Sequence, residues 1–367
     1  MSVATDKRNG GAVRGWLGRQ PLPVRLALVA LFVVAGYLLP YVGSIPVIGP
    51  QIVTQGIDWP SALFNMSYYV LLALGLNVVV GFAGLLDLGY VGFFAVGAYV
   101  TALLTSPDSI LHTEWAWLAS IPIALAVTML AGVLLGWPTL RLRGDYLAIV
   151  TLGFAEIIRI VATSTEVLRG ERGFSSIPHP PGQGSDGKPI FGVADATPYF
   201  WLGLTVILLV IVGVRNLDRS RVGRSWLAIR EDEEAAELMG VRTIKYKLWA
   251  FAIGAFIGGL GGIIWAGNQN FINSATFQLQ FSILVLAGVV MGGSGNIAGA
   301  ILGGALISYI PDRLRGIEFG DTDLYEYRFA IFGAAIILIM VLRPQGLIPS
   351  RRRAMELKDR QKEVAPQ

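Results

Sequence analysis

The chain has 367 residues, of which 54% are hydrophobic and 15% are charged, and its formal net charge is +4. Soluble domains carry roughly 25% charged residues, so the composition excludes an ordinary soluble protein and indicates one embedded in a membrane. Cysteine is absent and only two histidines are present, which excludes disulfides, thiolate metal sites and histidine-cluster metal sites.

Ten apolar segments have the length and composition of membrane spans. They lie at about 24–42, 61–80, 85–105, 115–136, 145–163, 198–214, 248–266, 280–293, 297–310 and 328–342. The sequence therefore predicts an all-α polytopic membrane protein of eight to ten transmembrane helices, with a transmembrane domain over residues 24–342. The region 280–310 could form two short spans or a hairpin that does not cross the bilayer fully.

Lysine and arginine fall mainly on one side of this predicted topology. With ten crossings and a cytoplasmic N-terminus, 22 of the 29 basic residues lie in cytoplasmic segments and six lie outside. This asymmetry follows the positive-inside rule. It predicts a multi-pass inner-membrane protein with cytoplasmic tails at 1–23 and 343–367 and one long extracytoplasmic loop at 164–197.

The longest charged segment, residues 215–247, connects two predicted spans on the cytoplasmic side. Five acids occupy seven consecutive positions in it, at Glu231, Asp232, Glu233, Glu234 and Glu237. Apolar side chains recur there at roughly helical spacing, at Trp226, Ile229, Ala236 and Met239. Gly240 follows the last of them, as a helix C-cap glycine does. The pattern predicts a short amphipathic helix over 224–240, outside the membrane.

The run Glu234-Ala235-Ala236, followed by Gly240, resembles the core of the EAA loop of prokaryotic ATP-binding-cassette (ABC) importer permeases. Two small alanines allow a helix to lie closely in a groove of a soluble partner, and Gly240 allows the chain to turn back to the membrane. We expect these residues to couple the chain to an ATPase. The acids expected to pair with basic residues of that partner are Glu231, Glu233 and Glu237. The alternative is a solvated linker helix.

Polar side chains inside predicted spans are candidates for a translocation path, because an ionisable group in a bilayer is costly. Glu156 and Arg159 are three residues apart on one helix and can pair. They could line the path or a gate, or simply neutralise each other. Asn77 could belong to the path or tie helices together. Asp87 precedes an apolar run and is interpreted as a helix-start or turn residue.

Glycine is abundant, with 45 residues, and several glycines are spaced by four. They are Gly254, Gly258 and Gly262, then Gly288 and Gly292, then Gly299 and Gly303. This spacing predicts close contacts between helix backbones. Two segments, 81–98 and 292–305, also share a loose pattern: glycines three apart at a predicted cytoplasmic turn, then a helix rich in glycine and alanine. The pattern is too loose to establish an internal duplication.

The chain resembles permease subunits of the branched-chain amino acid ABC importer family, of the LivM-like type. The matching segments are GLNVVVGFAGLLDLGYVGFFAVGAYVTALL (75–104), LRLRGDYLAIVTLGFAEIIRI (140–160), RSWLAIREDEEAAELMGV (224–241), KLWAFAIGAFIGGLGG (247–262) and VLRPQGL (341–347). The resemblance implies an ABC importer permease fold with a cytoplasmic coupling helix. It also implies a second permease subunit, two cytoplasmic ATPase subunits and an extracytoplasmic solute-binding protein. The implied substrates are branched-chain or related amino acids, although permeases for urea or short amides look similar.

No Gly-x-x-x-x-Gly-Lys-Ser/Thr phosphate loop occurs in the chain. We therefore expect no cofactor here, with ATP and magnesium bound by partner ATPase subunits. No nucleophile–base or metal constellation is visible, which disfavours a membrane enzyme. The basic residues reflect topology rather than nucleic-acid binding. The remaining rival is a secondary transporter driven by an ion gradient, with Glu156 or Asp145 as its coupling carboxylate.

Overall fold

The computed structural model describes residues 21–45, 49, 53, 57–139, 144–183, 189–192, 195–315, 318–319, 322–323, 327–343 and 346–348. It has two compact units, Met1–Val53 and Thr54–Gln367. In the first unit, helix α1 (Leu22–Val42) carries a proline in its first turn, where the missing N–H would be unpaired anyway. The predicted cytoplasmic tails, 1–23 and 343–367, fall mostly outside the described residues.

The second unit is almost entirely helical in its described part. Its helices are α2 (Trp59–Leu76), which continues as a π-helix (Asn77–Phe82), α3 (Val91–Thr105), α4 (Trp117–Thr139), α5 (Asp145–Ser164), α6 (Thr197–Arg219), α7 (Arg221–Glu231), α8 (Glu233–Leu238), α9 (Thr243–Gln269), α10 (Leu279–Gly292), α11 (Ile297–Leu314) and α12 (Arg328–Leu342). Short 3₁₀ turns lie at Glu166–Leu168, Gly170–Arg172 and Ser274–Thr276. Two antiparallel strand pairs are β1 (Phe174–Ser175) with β2 (Phe271–Ile272) and β3 (Glu318–Phe319) with β4 (Thr322–Asp323).

The described helices match the ten predicted spans. Seven are long and apolar enough to cross a membrane, and three more are apolar but shorter. The all-α polytopic fold is therefore confirmed. The region 280–310 forms two separate helices, α10 and α11, which lie against each other.

The predicted span at 85–105 begins too early, because residues 83–90 are not helical. Gly84 has a φ of +74°, which ends the π-helix in a conformation that favours glycine. The buried side chain of Asp87 accepts a hydrogen bond from the Gly89 amide at 2.8 Å. The interpretation of Asp87 as a turn residue is thereby confirmed, and α3 starts only at Val91.

Helix α9 is central to the second unit and packs against α2, α3 and α4. Glycines make this close packing possible. A Cβ atom on Gly262 would lie 2.1 Å from the carbonyl oxygen of Phe94 in α3. A Cβ atom on Gly303 would lie 1.9 Å from the carbonyl oxygen of Gly288, where α11 crosses α10. The predicted contacts between glycine-rich helix backbones are therefore confirmed at these two crossings.

The predicted extracytoplasmic loop, 164–197, is bonded to the segment that follows α3. Asp108 lies 2.9 Å from the guanidinium of Arg169 and accepts the Ser175 amide at 3.1 Å. The hydroxyl of Ser175 also donates to Asp108, and Ser106 donates to the Ser175 carbonyl at 2.6 Å. Asp108 thus connects the segment after α3 to Arg169 and to Ser175, two separate points of the 164–197 loop.

Asp108 should make the stability of this loop depend on pH. Hydrogen bonds from Ser175 and the charge of Arg169 hold the pKa of Asp108 below its ordinary value of 3.8. Its contribution is complete above that unfolded-state pKa and is lost as the pH falls through the lower folded-state pKa. We expect Asp108→Asn to reduce the unfolding free energy by less than about 1 kcal/mol near neutral pH, because the ion pair is a third exposed.

Thermal unfolding of wild type and Asp108→Asn at a series of pH values measures this contribution. The difference between the two proteins should shrink as the pH falls below about 4. A difference that stays constant down to about pH 3 would contradict the assignment of Asp108 as a native-state anion.

Candidate coupling site

The charged segment between α6 and α9 forms two helices, α7 and α8, so the predicted single helix over 224–240 is wrong. Asp232 separates them with an extended backbone, at φ −156° and ψ 110°. Its side chain caps α8 by accepting the Ala235 amide at 3.0 Å. Aspartate competes with the helix for backbone donors in this way, and the surrounding run of acids conceals the break in the sequence.

Gly240 ends α8 as predicted. Its φ is +86°, and no atom lies within 4 Å of a Cβ built on it, so the need for glycine is conformational rather than steric. Val241 donates its amide to the Ala236 carbonyl at 3.0 Å, and Gly240 donates to Glu237 at 2.9 Å. These two bonds are a Schellman motif, which turns the chain back towards α9.

Two side-chain contacts fasten this loop to the start of α9. Trp226 is buried in α7, and its indole N–H donates to the Tyr246 carbonyl at 2.7 Å. Lys247 is also buried, and its ammonium group forms an ion pair with Glu233. Glu233 therefore already has a partner within the chain, whereas the sequence suggested that it pairs with another subunit.

Arg230 joins α7 to the π-helix. Its Nη1 atom donates to the carbonyl oxygen of Gly81 at 2.5 Å. The π-helix is recognisable from the Ala83 amide, which donates to Val78 at 3.2 Å, five residues back instead of four. The last carbonyls of a helix lack partners within it, and a guanidinium is a strong donor for one of them.

Asn77 begins the π-helix and is fully buried. Its Oδ1 atom accepts the Gly295 amide at 2.8 Å, while its Nδ2 atom has no partner among the described residues. The bond connects the π-helix to the turn between α10 and α11. It fits the interpretation of Asn77 as a residue that ties helices together, and its place in a translocation path stays a prediction.

Glu156 and Arg159 pair on α5, with Arg159 Nε 3.0 Å from Glu156 Oε2. Their side chains are 41% and 33% exposed, and the neighbouring Ile157 and Ile160 are also exposed. The pair therefore lies on the outer surface of this chain and not in its core. Its role in a path stays a prediction. The side chain of Asp145, the other carboxylate of the rival hypothesis, lies outside the described residues.

The residues predicted to couple to an ATPase do not share one surface. The exposed ones are Glu231, Glu234, Ala235, Glu237 and Gly240. Ala236, by contrast, is only 5% exposed and packs inward, so it cannot lie in a partner's groove as predicted. The break at Asp232 explains this, because it gives α8 its own orientation, in which Ala236 turns towards the chain.

The structure reveals an exposed apolar pair that the sequence pattern did not identify. Leu238 is 88% exposed and Met239 is 85% exposed at the end of α8. The helical spacing groups Met239 with Trp226, Ile229 and Ala236, but those three are buried and Met239 is exposed, and Leu238 does not belong to that spacing. Two large apolar side chains directly before a C-cap glycine, after a run of acids, are the signal that was available. Such a patch with a polar rim is typical of an interaction site.

The fold defines a multi-pass membrane protein with a charged loop that is fastened to its spans. The family described as "Branched-chain amino acid transport system / permease component" matches residues 61–340. The permease protein LivM of the high-affinity branched-chain amino acid transport system of Salmonella typhimurium is 39% identical over 311 residues, which cover 80% of this chain and 70% of that protein. No solved structure matches the chain.

More distant relatives include the probable branched-chain amino acid transport permease protein LivM of Methanocaldococcus jannaschii. It is 25% identical over 333 residues, covering 77% of this chain and 91% of that protein. The permease protein LivH of Escherichia coli K12 is 22% identical over 294 residues, with the same coverages. The chain belongs to the family of branched-chain amino acid transport permeases. It is therefore a transport component of a multi-subunit system.

Proposed function

We propose that this chain is a transmembrane permease subunit of an ABC uptake system for branched-chain or related amino acids. The names of its relatives support the substrate class. Its partners would be a second permease subunit, two cytoplasmic ATPase subunits that bind ATP and magnesium, and an extracytoplasmic solute-binding protein. In this assembly the chain spans the inner membrane with both termini in the cytoplasm.

The exposed pair Leu238 and Met239 is the observation that carries the ATPase assignment. The pair lies beside the exposed acids Glu234 and Glu237, so it offers an apolar contact within an acidic rim. ATP binding would close the ATPases and move α8. Because the loop is bonded to the spans, that movement would reorient them, and ATP hydrolysis would reset the transporter.

Replacing Leu238 and Met239 together with serine should release the ATPase subunits. Buried apolar anchors at interface centres contribute about 2 kcal/mol or more, so we expect affinity to fall by roughly 30-fold or more. Co-purification of tagged ATPase with the permease measures this directly. Arg224→Gln changes an exposed residue of α7 and is the matched control. Full ATPase retention by the double variant would refute the docking assignment.

The energy source and the substrate need a separate test. Proteoliposomes that contain the whole complex should take up leucine, isoleucine or valine only with ATP on the ATPase side. Uptake that follows an ion gradient without ATPase subunits would instead support a secondary transporter. Competition by urea or acetamide, but not by leucine, would reassign the substrate class within the same family.

A further inference from the structure

We propose that Arg230 is a positioning residue through which movement of α8 reaches the end of α2 and the turn between α10 and α11, in addition to the direct contacts of the loop with α9. The inference rests on the proposed function, since it assumes that an ATPase moves this loop. Arg230 is the last basic residue of α7 and lies two positions before the break at Asp232. Any displacement of α8 therefore reaches α7 at the end where Arg230 is attached to the π-helix.

Three glycines surround the Arg230 side chain. A Cβ atom on Gly84 would lie 2.6 Å from its Cγ atom, and one on Gly295 would lie 2.9 Å from its Nη1 atom. Gly81 provides the carbonyl that accepts the guanidinium proton. Both Gly84 and Gly295 also have positive φ angles, of +74° and +80°. Gly81, Gly84 and Gly295 thus form a cradle along the Arg230 side chain, and none of the three positions has room for a side chain of its own.

The cradle joins two regions that are remote in sequence. Gly81 and Gly84 follow α2, whereas Gly295 lies between α10 and α11. Asn77 bonds directly between them by accepting the Gly295 amide, and a Cβ atom on Gly81 would lie 2.5 Å from that same amide nitrogen. Because the two turns are already tied together, a displacement of Arg230 moves both. One side chain therefore acts on the ends of three spans.

Lysine cannot reproduce this arrangement fully. Arginine presents a planar fork of N–H donors in a fixed geometry, whereas a lysine ammonium is a compact and strongly hydrated charge on a flexible stem. Arg230 also has buried neighbours on its own helix, Trp226 and Ile229, and the Trp226 indole bonds to the start of α9, which holds α7 in place. α7 should therefore stay docked when Arg230 is shortened, so that the variant loses the connection to the π-helix and keeps the fold.

The test uses the complete complex, reconstituted with its ATPases and binding protein, and compares Arg230→Met with wild type. We expect ATPase subunits to remain bound and the thermal unfolding midpoint to change little. ATP-driven uptake should fall at least tenfold, with more ATP hydrolysed per substrate transported. Arg230→Lys should recover part of the uptake. Arg224→Ala, at an exposed arginine of the same helix, should behave like wild type.

Gly84→Ala provides a second variant, because its methyl group would displace the Arg230 stem while the guanidinium remains in the chain; its unfolding midpoint is measured as well, because alanine is strained at a φ of +74°. It should reproduce the uncoupled behaviour of Arg230→Met. Normal coupled uptake by Arg230→Met would overturn the proposal, and so would loss of ATPase binding, which would make Arg230 a docking residue. Failure of the proposed function is distinguishable, since then the wild-type chain would bind no ATPase.

Discussion

Glu233→Gln should destabilise the loop by about 3 kcal/mol, because Lys247 would remain buried without its counter-charge. The side chain of Lys247 is 4% exposed, whereas that of Glu233 is 24% exposed, so the two partners are not equivalent. A buried cation that loses its partner is more costly than a partly exposed carboxylate that loses its own. The loss should appear as faster proteolysis between α7 and α9 and as a lower midpoint of thermal unfolding.

Two companion variants separate the ion pair from simple packing. Lys247→Met should lower the free energy of unfolding less than Glu233→Gln does, since the Glu233 carboxylate left behind can reach water. The double variant Glu233→Leu with Lys247→Met should recover most of the lost stability, because a well-packed apolar pair can replace a buried ion pair. If Glu233→Gln is as stable as wild type, the ion pair does not hold the loop.

Gly303→Ala should lower the free energy of unfolding by an amount near the top of the roughly 1–3 kcal/mol range for overpacked sites. Gly303→Leu should prevent folding. The added Cβ atom would lie 1.9 Å from the Gly288 carbonyl oxygen and 3.2 Å from the Gly292 amide nitrogen. Both atoms belong to the backbone, so no rotamer change relieves the clash. α10 and α11 would have to separate, which also affects the turn that holds Gly295.

Matched glycine variants exist in the same chain. Gly153 in α5 and Gly213 in α6 have no atom within 4 Å of a built Cβ. Alanine at either site should be neutral or stabilise its helix by up to about 1 kcal/mol, because glycine is the poorer helix former. The yield of monodisperse protein after solubilisation, with its unfolding midpoint, compares the three sites. Equal behaviour of Gly303→Ala and Gly213→Ala would contradict the packing argument.

Composition and apolar length were sufficient to predict the spans, because a bilayer demands long apolar helices wherever the chain crosses it. Composition and apolar length do not predict where a helix is interrupted within an apolar segment. Residues 83–90 are as apolar as their neighbours, yet they are not helical, since a glycine at +74° and a buried aspartate turn the chain there. Apolar length carries no information about such local backbone chemistry. The break at Asp232 cannot be predicted for a related reason, because one helix-capping aspartate looks like its neighbours within a run of acids.

The position of the loop could be predicted, but its orientation could not. Helical spacing assigned Ala236 and Met239 to the same face, and the structure places one inside and the other outside. The helical spacing describes one unbroken helix over 224–240. The extended backbone of Asp232 breaks that helix, so residues after it no longer face the direction that the spacing predicts. The cradle of Arg230 has no local signal in the sequence, because Gly81 and Gly84 lie at the end of the π-helix and Gly295 lies in a turn more than 200 residues later.

The π-helix Asn77–Phe82 sets the direction in which its span ends. A π-turn holds one residue more than the α-helical turn that it replaces, because each amide bonds five residues back. Relative to an unbroken α-helix, one extra residue advances the following chain by about 1.5 Å and rotates it by about 100°. The surplus residue therefore fixes the angle at which the chain enters the bend at Gly84, while the backbone groups of the π-helix stay hydrogen-bonded.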